Sequence, residues 1–356
     1  MKKSTSNTSV TVALSGGVDS AVAACLLIEQ GYIVKGIFMK NWSGEDYGIE
    51  GDCPWEQDQE DARKVCEKLN IPFRSVNFEK EYRDKVISYF FREYFAGRTP
   101  NPDVMCNKEI KFNCFLEKAK EFGSDLIATG HYARVISQDG YYNLLKGRDT
   151  NKDQSYFLHK LNQAQLKYTL FPIGDLKKDK VRQIAKKHNI HVSNKKDSQG
   201  ICFVGKIDVA KFLRENIHIK EGKIIDIDTN QAVGQHDGVY FYTIGQREGL
   251  NLGGLAKPYY VVKKDINNNY LYVAAGSDSK HLYSRVVKFE DASFIAPVMT
   301  STNIKASIRY RHKPANGKLH IDKSEFVFDE PQRAITPGQS IVFYQGETCL
   351  GGATIN

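Results

Sequence analysis

The amino-acid sequence predicts an α/β protein, with an N-terminal doubly wound parallel sheet over residues 1–204 and two smaller, mostly β domains over 205–280 and 281–356, the last a β-barrel. Three observations predict it. Residues 10–135 alternate strand-like apolar runs with helical patterns, as a parallel sheet wrapped by helices requires. A glycine turn, Ser15 to Ser20, separates the first strand-like run from the first helical one. Beyond about residue 205, long helical periodicity gives way to Gly, Tyr, Val and short alternating runs.

Taken in order, the strands of the first domain are read at VTVAL (10–14), IVKGIF (33–38), FRSVNF (73–78) and LIAT (126–129). A helical run, Ala21 to Gln30, follows the glycine turn. Between the second and third strands Ala62, Val65, Cys66 and Leu69 recur at i, i+3, i+4 and i+7, one buried helix face on which Cys66 packs as a small apolar residue. A further helix is read over Lys108 to Phe122, with an apolar stripe that includes Ile110, Cys114 and Phe122. From Lys177 to Lys196 eight Lys or Arg stand against the single Asp179, a local charge of +7. The segment is either a nucleic-acid-facing patch or, with Val181, Ile184 and Ala185 as its apolar stripe, an amphipathic helix with a basic wet side. In the β-rich half the runs YYVVKKDI, NYLYVAAG, IKASIRYRHKP, EFVFDE and QSIVFYQGETCLGG predict two small domains split near Ser277 to Tyr283.

Composition limits the function classes. A chain of 356 residues with 41% hydrophobic and 26% charged residues is neither disordered, collagen-like nor a coiled coil. Fifty basic against forty-two acidic residues leave +8, a mild basic bias. The longest apolar run, Ala21 to Ile28, is far short of the roughly 18 residues of a membrane helix. Lys2 and Lys3 lead into a polar stretch rather than a signal-peptide apolar region, so a soluble, cytoplasmic protein is expected with no membrane partner. The seven cysteines, Cys25, Cys53, Cys66, Cys106, Cys114, Cys202 and Cys349, are odd in number and spread, which fits a reducing compartment rather than a disulfide-stapled domain. With no CxxC and no paired His/Cys cluster, no protein metal centre is expected. Cys53 lies in a Gly-rich, acidic loop without periodicity, and its role stays open.

The strongest local signal is Ser15-Gly16-Gly17-Val18-Asp19-Ser20. Strand, glycine turn and helix in succession aim backbone N–H groups at a phosphate. The glycines allow close backbone approach, Ser15 and Ser20 offer hydroxyls, and Asp19 can hold a Mg²⁺ that neutralises leaving pyrophosphate. GxxxxGK[ST] and GxGxxG are both absent from the chain. SGGVDS resembles the PP-loop of ATP pyrophosphatases, enzymes that split ATP between the α and β phosphates. That resemblance implies an ATP site that includes Ala13, Leu14, Ser15, Gly16, Gly17, Val18, Asp19 and Ser20.

Two further blocks narrow the resemblance. Residues 97–108 (GRTPNPDVMCNK) and 195–203 (KKDSQGICF) resemble the two cysteine motifs of tRNA-specific 2-thiouridylases. FMKNW (38–42), TGHYAR (129–134), NKDQSYFL (151–158), TIGQREGL (243–250), RYRHKP (309–314) and TPGQSIVFYQGETCLGG (336–352) extend the likeness along nearly the whole chain. The departures are the tail 1–9 and Gln199, where Thr is common. From the residues themselves, Cys106 follows a proline-constrained turn just before a helix, where the helix N-terminus stabilises a thiolate. Asp103 is placed either to move a proton or to cap that helix. Cys202, between Ile201 and Phe203, reads alone as a buried strand cysteine.

The resemblance implies ATP-dependent 2-thiolation of the wobble uridine of tRNA, with adenylation at the base C2 oxygen and sulfur delivered from a persulfide on Cys202. Cys106 then attacks that persulfide, the two cysteines end as a disulfide, and a reductant reopens it. Met39 and Gly130 are implied in the nucleotide pocket, Asn101, Pro102 and Asp103 at the target base, and His131, Lys152, Asp153, Gln154, Arg309, Tyr310 and Gln345 at the tRNA. For Gln345 the alternative is a plain hairpin-turn residue before Gly346. The implied partners are the wobble-uridine tRNAs for Lys, Glu and Gln, and a persulfide donor such as a cysteine desulfurase or sulfur-relay protein. Competing readings are another PP-loop enzyme, such as a 4-thiouridine or amidotransferase-type synthetase, and an RNA-binding module that has lost catalysis. The first calls for a sulfur-carrying domain or ammonia source that the sequence lacks. Against the second stand intact Asp19, Cys106 and Cys202.

Overall fold

Val10 and Val12 are fully buried because the strand that carries them is covered on both faces, as a central parallel strand must be. The computed structural model describes residues 7–43, 55–196, 209–217, 220–253, 257–298 and 301–356. That strand, β1 (Ser9–Ala13), leads through the glycine loop into α1 (Val18–Glu29), then β2 (Ile33–Lys40), α2 (Trp55–Leu69) and β3 (Phe73–Asn77). A second helical layer runs from α3 (Glu79–Tyr82) through a π-helical stretch to α4 (Ser88–Phe95), and from α5 (Pro102–Met105) through π-helical Cys106–Cys114 to α6 (Phe115–Glu121). After β4 (Leu126–Ala128) come a hairpin, β5 (Ala133–Gln138) and β6 (Tyr141–Lys146), then α7 (Gln163–Lys167), β7 (Thr169–Leu170), α8 (Lys178–Lys187) and α9 (Val209–Asn216).

The first sheet has the order β3-β2-β1-β4-β7 and is parallel throughout, with Val10 beside both Val34 and Leu126. Alternation along β1 divides the core. Val10, Val12 and Leu14 pack with α1, α2 and α8, whereas Ala13 packs with Tyr82, Phe90, Phe112 and Phe115 of the helices 79–95 and 102–121.

The central domain is a four-stranded sheet, β10-β11-β8-β9, from β8 (Gly222–Asp226), β9 (Ala232–His236), β10 (Tyr259–Asp265) and β11 (Tyr270–Ala275), over a core of Ile224, Val239, Val261 and Leu271. The last domain comprises β12 (Tyr283–Phe294), β13 (Ser301–Ser307), β14 (Ala315–His320), β15 (Glu325–Arg333), β16 (Ser340–Gln345) and β17 (Thr348–Ile355). Antiparallel pairing runs β12-β15-β14-β13-β16-β17, and β12 pairs β17 to close a six-stranded barrel around Phe289, Phe326 and Phe343.

Three sequence expectations change. The first helix starts at Val18 rather than Ala21, so the loop's own Asp19 and Ser20 lie in its first turn. The cysteine helix starts at Pro102 rather than Lys108: Asn101 caps it, accepting from the Val104 N–H at 3.4 Å, and proline is suited to the first helical position. The hairpin β5–β6 goes unread in the sequence, and it joins the barrel sheet through β6, with Leu144 beside Cys349 and Leu145 beside Thr348.

Candidate active site

The carboxyl ends of β1, β2 and β4 lie side by side at one edge of the sheet, the usual ligand position of an open parallel sheet. Ala13 and Leu14, both buried, bring β1 to it, and Met39, 4% exposed, lies near the end of β2. In the loop the Ser15 N–H donates to Ser20 Oγ at 3.2 Å, and Ser20 Oγ donates to the Gly17 carbonyl at 3.1 Å. Gly16 is glycine for two reasons: its φ is +71°, and a Cβ there would stand 2.7 Å from the Asp58 Cα. Gly130 presses on the loop from the end of β4, where a Cβ would fall 2.6 Å from the Ser20 backbone nitrogen. Gly130 and the loop thus pack against each other.

Asp19 is the centre of charge. Both its carboxylate oxygens lie 2.8 Å from Lys178 Nζ, and the Tyr132 hydroxyl donates to Oδ1 at 2.8 Å. Lys178 opens α8, where its N–H donates to Asp149 at 2.9 Å, and the residue is only 9% exposed. The other side of the loop is held by Lys195, whose Nζ donates to the Gly16 carbonyl at 3.1 Å, to Asp58 at 2.7 Å and to Asp61 at 2.6 Å. Burial alone would raise the Asp61 carboxyl, but hydrogen bonds from Lys195 and His191 hold it below the ordinary range. Arg182 donates to the carbonyls of Ser193 and Lys195, at 2.7 and 3.0 Å.

The basic segment is therefore neither of the two readings in full. Lys178, Arg182 and Lys195 face inward, and Lys177, Lys180, Lys186, Lys187 and Lys196 remain on the surface. Lys178, Tyr132 and Lys195 are site residues that the sequence did not single out. Tyr132 stood in the TGHYAR block and Lys195 in the KKDSQGICF block, but Lys178, a lysine among seven in a basic run, carries no local mark that singles it out.

The cysteine helix differs from expectation in two respects. Asn101, not Asp103, is the cap, and Asp103 lies in the first turn, where its charge suits the helix dipole. Cys106 lies beyond that first turn and is fully buried. Cys114, expected to pack, is only partly buried, with Lys85 Nζ 3.7 Å from its sulfur. Cys25, Cys66 and Cys349 are buried, and burial raises their thiols, to about 11, 12 and 12. Cys53 and Cys202 lie outside the described residues.

Of the residues implied at tRNA, His131 is 7% exposed, bonded through Nδ1 to Thr129 Oγ1 at 2.6 Å and packed on Phe112 and Phe171. Asp153 accepts from the Gly147 N–H and from Ser155, and Gln154 Oε1 accepts from the Tyr132 N–H at 2.9 Å, so both brace the chain beside Asp19. Lys152 is half-buried on the same turn. Arg309 donates to the Arg333 carbonyl, and the Tyr310 ring packs against Phe157, tilted by 48° with centroids 4.4 Å apart. Phe157 in turn accepts from Asn107, next to Cys106, at 3.1 Å. Gln345 is exposed at the β16–β17 turn, opposite Thr348.

Three consecutive stretches of the chain match known families. Residues 8–206 match the family described as tRNA methyl transferase HUP domain, 210–275 its PRC-barrel domain, and 284–355 an aminomethyltransferase beta-barrel domain. A tRNA-specific 2-thiouridylase MnmA of Geobacillus thermodenitrificans is 50% identical over 361 residues, covering 100% of this chain and 96% of that protein. The protein of that name from Alkaliphilus oremlandii is 50% identical over 363 residues, covering 100% and 99%. Among solved structures, a 4-thiouridine synthetase–RNA complex with bound ATP aligns at a TM-score of 0.35 and 16% identity, over 58% of this chain and 50% of that one. An NMN synthetase from Francisella tularensis aligns at 0.32 and 17%, over 54% and 66%. The family descriptions speak of methyl transfer, whereas the relatives at half identity are thiouridylases along their full length, and it is the latter likeness that is specific. On it, the chain belongs to the tRNA-specific 2-thiouridylase family of enzymes.

Proposed function

We propose that the protein 2-thiolates the wobble uridine, position 34, of tRNA in two stages that use ATP and a cysteine persulfide. In the first, the uridine C2 oxygen attacks the α-phosphorus of ATP, the bond to the β-phosphate oxygen breaks, and pyrophosphate leaves an adenylated base. In the second, the terminal sulfur of a persulfide on Cys202 bonds to C2 and the C2–O bond to AMP breaks. Cys106 Sγ bonds to Cys202 Sγ and the persulfide S–S bond breaks, its electron pair leaving with the sulfur on C2, so that 2-thiouridine, AMP and a Cys106–Cys202 disulfide result, and a dithiol reductant restores the thiols. Asp103 serves as the proton-moving group at the base. The observation that carries this reading is the placement of Asp19 between Lys178 and Tyr132 on a glycine loop at the sheet's carboxyl edge, in a chain that matches 2-thiouridylases end to end.

The loop N–H groups and the hydroxyls of Ser15 and Ser20 would hold the phosphates, with Met39 and Gly130 against the nucleoside. Asp19, a carboxylate at the loop, fits a Mg²⁺ held chiefly by substrate phosphates. Bound there by Asp19, Mg²⁺ would supply charge neutralisation of the leaving pyrophosphate. Lys178, fixed beside Asp19, would add a second positive charge next to the same phosphates. We assign catalysis to residues 1–204, tRNA binding to 205–280 and tRNA placement to the barrel, 281–356, with Asn101 to Asp103 at the base and His131, Lys152 to Gln154, Arg309, Tyr310 and Gln345 toward the tRNA. The substrates proposed are the tRNAs for Lys, Glu and Gln, the sulfur source is a cysteine desulfurase or relay protein, and the compartment is the cytosol.

Incubation with ATP, Mg²⁺, a persulfide source and unmodified tRNA, followed by nucleoside mass spectrometry, tests the reading. One AMP should form per 2-thiouridine. Thiolation without AMP, or AMP without tRNA dependence, would overturn it.

A further inference from the structure

The segment Gly97 to Asn101 has no regular structure of its own, yet it sets the entry of the helix that carries Asp103 and Cys106. Its backbone groups are met from another domain. The Thr99 N–H donates to the Pro337 carbonyl at 2.8 Å, and the side-chain amide of Gln339 donates to the carbonyls of Thr99 and Pro100, at 2.9 and 3.0 Å. Gly338, at φ +88°, lets the barrel approach this closely: a Cβ there would lie 2.8 Å from Arg98 Cβ and from the Thr99 nitrogen and oxygen. Gln339 is itself fixed in the barrel, since its carbonyl accepts from the Ile355 N–H at 2.8 Å.

The rest of the segment is gripped as closely. The central domain contributes Thr243, whose hydroxyl is 3.2 Å from that of Thr99, and Ile266, against which Gly97 packs without room for a Cβ. Arg98 makes two hydrogen bonds, at 2.5 and 2.8 Å, to Glu93, whose side chain is 5% exposed. Pro100 and Pro102 cannot donate, so the carbonyls around them depend on outside donors. One amide supplies two of those bonds.

We infer that Gln339 of the C-terminal barrel is a positioning residue for both stages of the reaction, holding the Thr99–Pro100 turn so that Asn101 and Asp103 meet the base, and Cys106 the persulfide, in register. The inference rests on the proposed base-facing role of Asn101 to Asp103. It makes the barrel part of the catalytic framework as well as a holder of tRNA. The predicted signature is a turnover defect without a binding defect, because the nucleotide loop and the tRNA surface are untouched.

The test uses the full-length protein and the variants Gln339→Met, which keeps the volume and removes the donor, and Gly338→Ala, which displaces the same turn from the barrel side. Expected for both, in protein that unfolds cooperatively near the native temperature, is a kcat for thiolation lowered about 10- to 100-fold, the size of effect that a misplacement of about 1 Å produces. The KM for tRNA and the affinity for ATP should stay within about threefold, and hydrogen exchange of the peptide 97–108 should accelerate. Native kcat in either folded variant overturns the inference. So does a raised KM for tRNA with kcat retained, which would make Gln339 a tRNA-holding residue only. An Asp103→Asn control separates the premise: native turnover there overturns the base-facing reading itself, and unchanged exchange at 97–108 in Gln339→Met then overturns the clasp independently.

Discussion

Replacing Lys178 by Met separates two roles that the same lysine could have in a basic segment of a tRNA-modifying enzyme. At 2.8 Å and an effective dielectric near 20, the gross attraction between Lys178 and Asp19 is about 6 kcal/mol, most of it offset by desolvation of the pair. Breaking a fully buried pair costs roughly 3–5 kcal/mol, but the Asp19 side chain is 29% exposed and keeps the Tyr132 hydrogen bond, so about 2 kcal/mol is the appropriate figure. For a cooperative unit of roughly 200 residues this lowers Tm by about 4–8 °C. The kinetic effect should be larger, because a fixed cation beside the departing pyrophosphate acts in the transition state: AMP formation should fall about 10²- to 10³-fold. The assay is AMP release from ATP and unmodified tRNA, alongside tRNA binding at several salt concentrations. Affinity for tRNA and its salt slope should be unchanged. If Lys178→Met forms AMP at the native rate and instead reduces the salt slope by about one, the lysine faces the RNA backbone and the reasoning fails.

Charge reversal of exposed Lys177 and Lys180 should lower that slope while leaving AMP formation intact if α8 lies against tRNA, and an unaltered slope would remove α8 from the interface. Gly16→Ala should abolish ATP binding measured by titration, since its φ of +71° and the Asp58 backbone leave no place for a methyl group; wild-type affinity would contradict the loop geometry. Asp19→Ala should eliminate AMP formation, whereas Cys202→Ser should retain ATP-dependent activation of tRNA and lose only sulfur incorporation, so thiolation at the native rate by Cys202→Ser would refute the persulfide role. Burial depresses His131 well below 6.5 and His159 to about 3, so both stay neutral in the folded state while the unfolded chain takes up protons below about pH 6.5. Stability from these groups is present above that pH and is lost as pH falls toward the folded values, by roughly 1.4 kcal/mol per unit for each histidine; urea midpoints between pH 7.5 and 4.5 should show the decline, and a flat profile would place the two imidazoles in water.

Several features were readable because they depend on local pattern alone. The runs at 10–14, 33–38, 73–78 and 126–129 became β1 to β4, and Ala62, Val65 and Cys66 are buried on α2 as their spacing required. The hairpin β5–β6 had an available signal in Asp139-Gly140, whose φ values of +52° and +80° are those of a two-residue turn. The helix start at Pro102 was also available, since Asn-Pro reads equally as turn or as cap and first helical residue. His131 and Asp153 show the opposite case: polar types that suggest a wet surface are held by a threonine hydroxyl and by backbone N–H groups.

By itself the sequence determined the α/β class with its β-rich second half, the glycine loop after the first strand, and the resemblance carried by the cysteine motifs, because each is written in consecutive residues or in a fixed spacing. Only the tertiary structure decided which lysine of the basic run meets Asp19, that Lys195 locks Gly16 to α2, and that Gln339 reaches 239 residues back to hold the Pro100 carbonyl. Those pairings join groups far apart in the chain, and their strength comes from burial and distance, which a linear order of residues does not encode until the sheet and the barrel have brought them together.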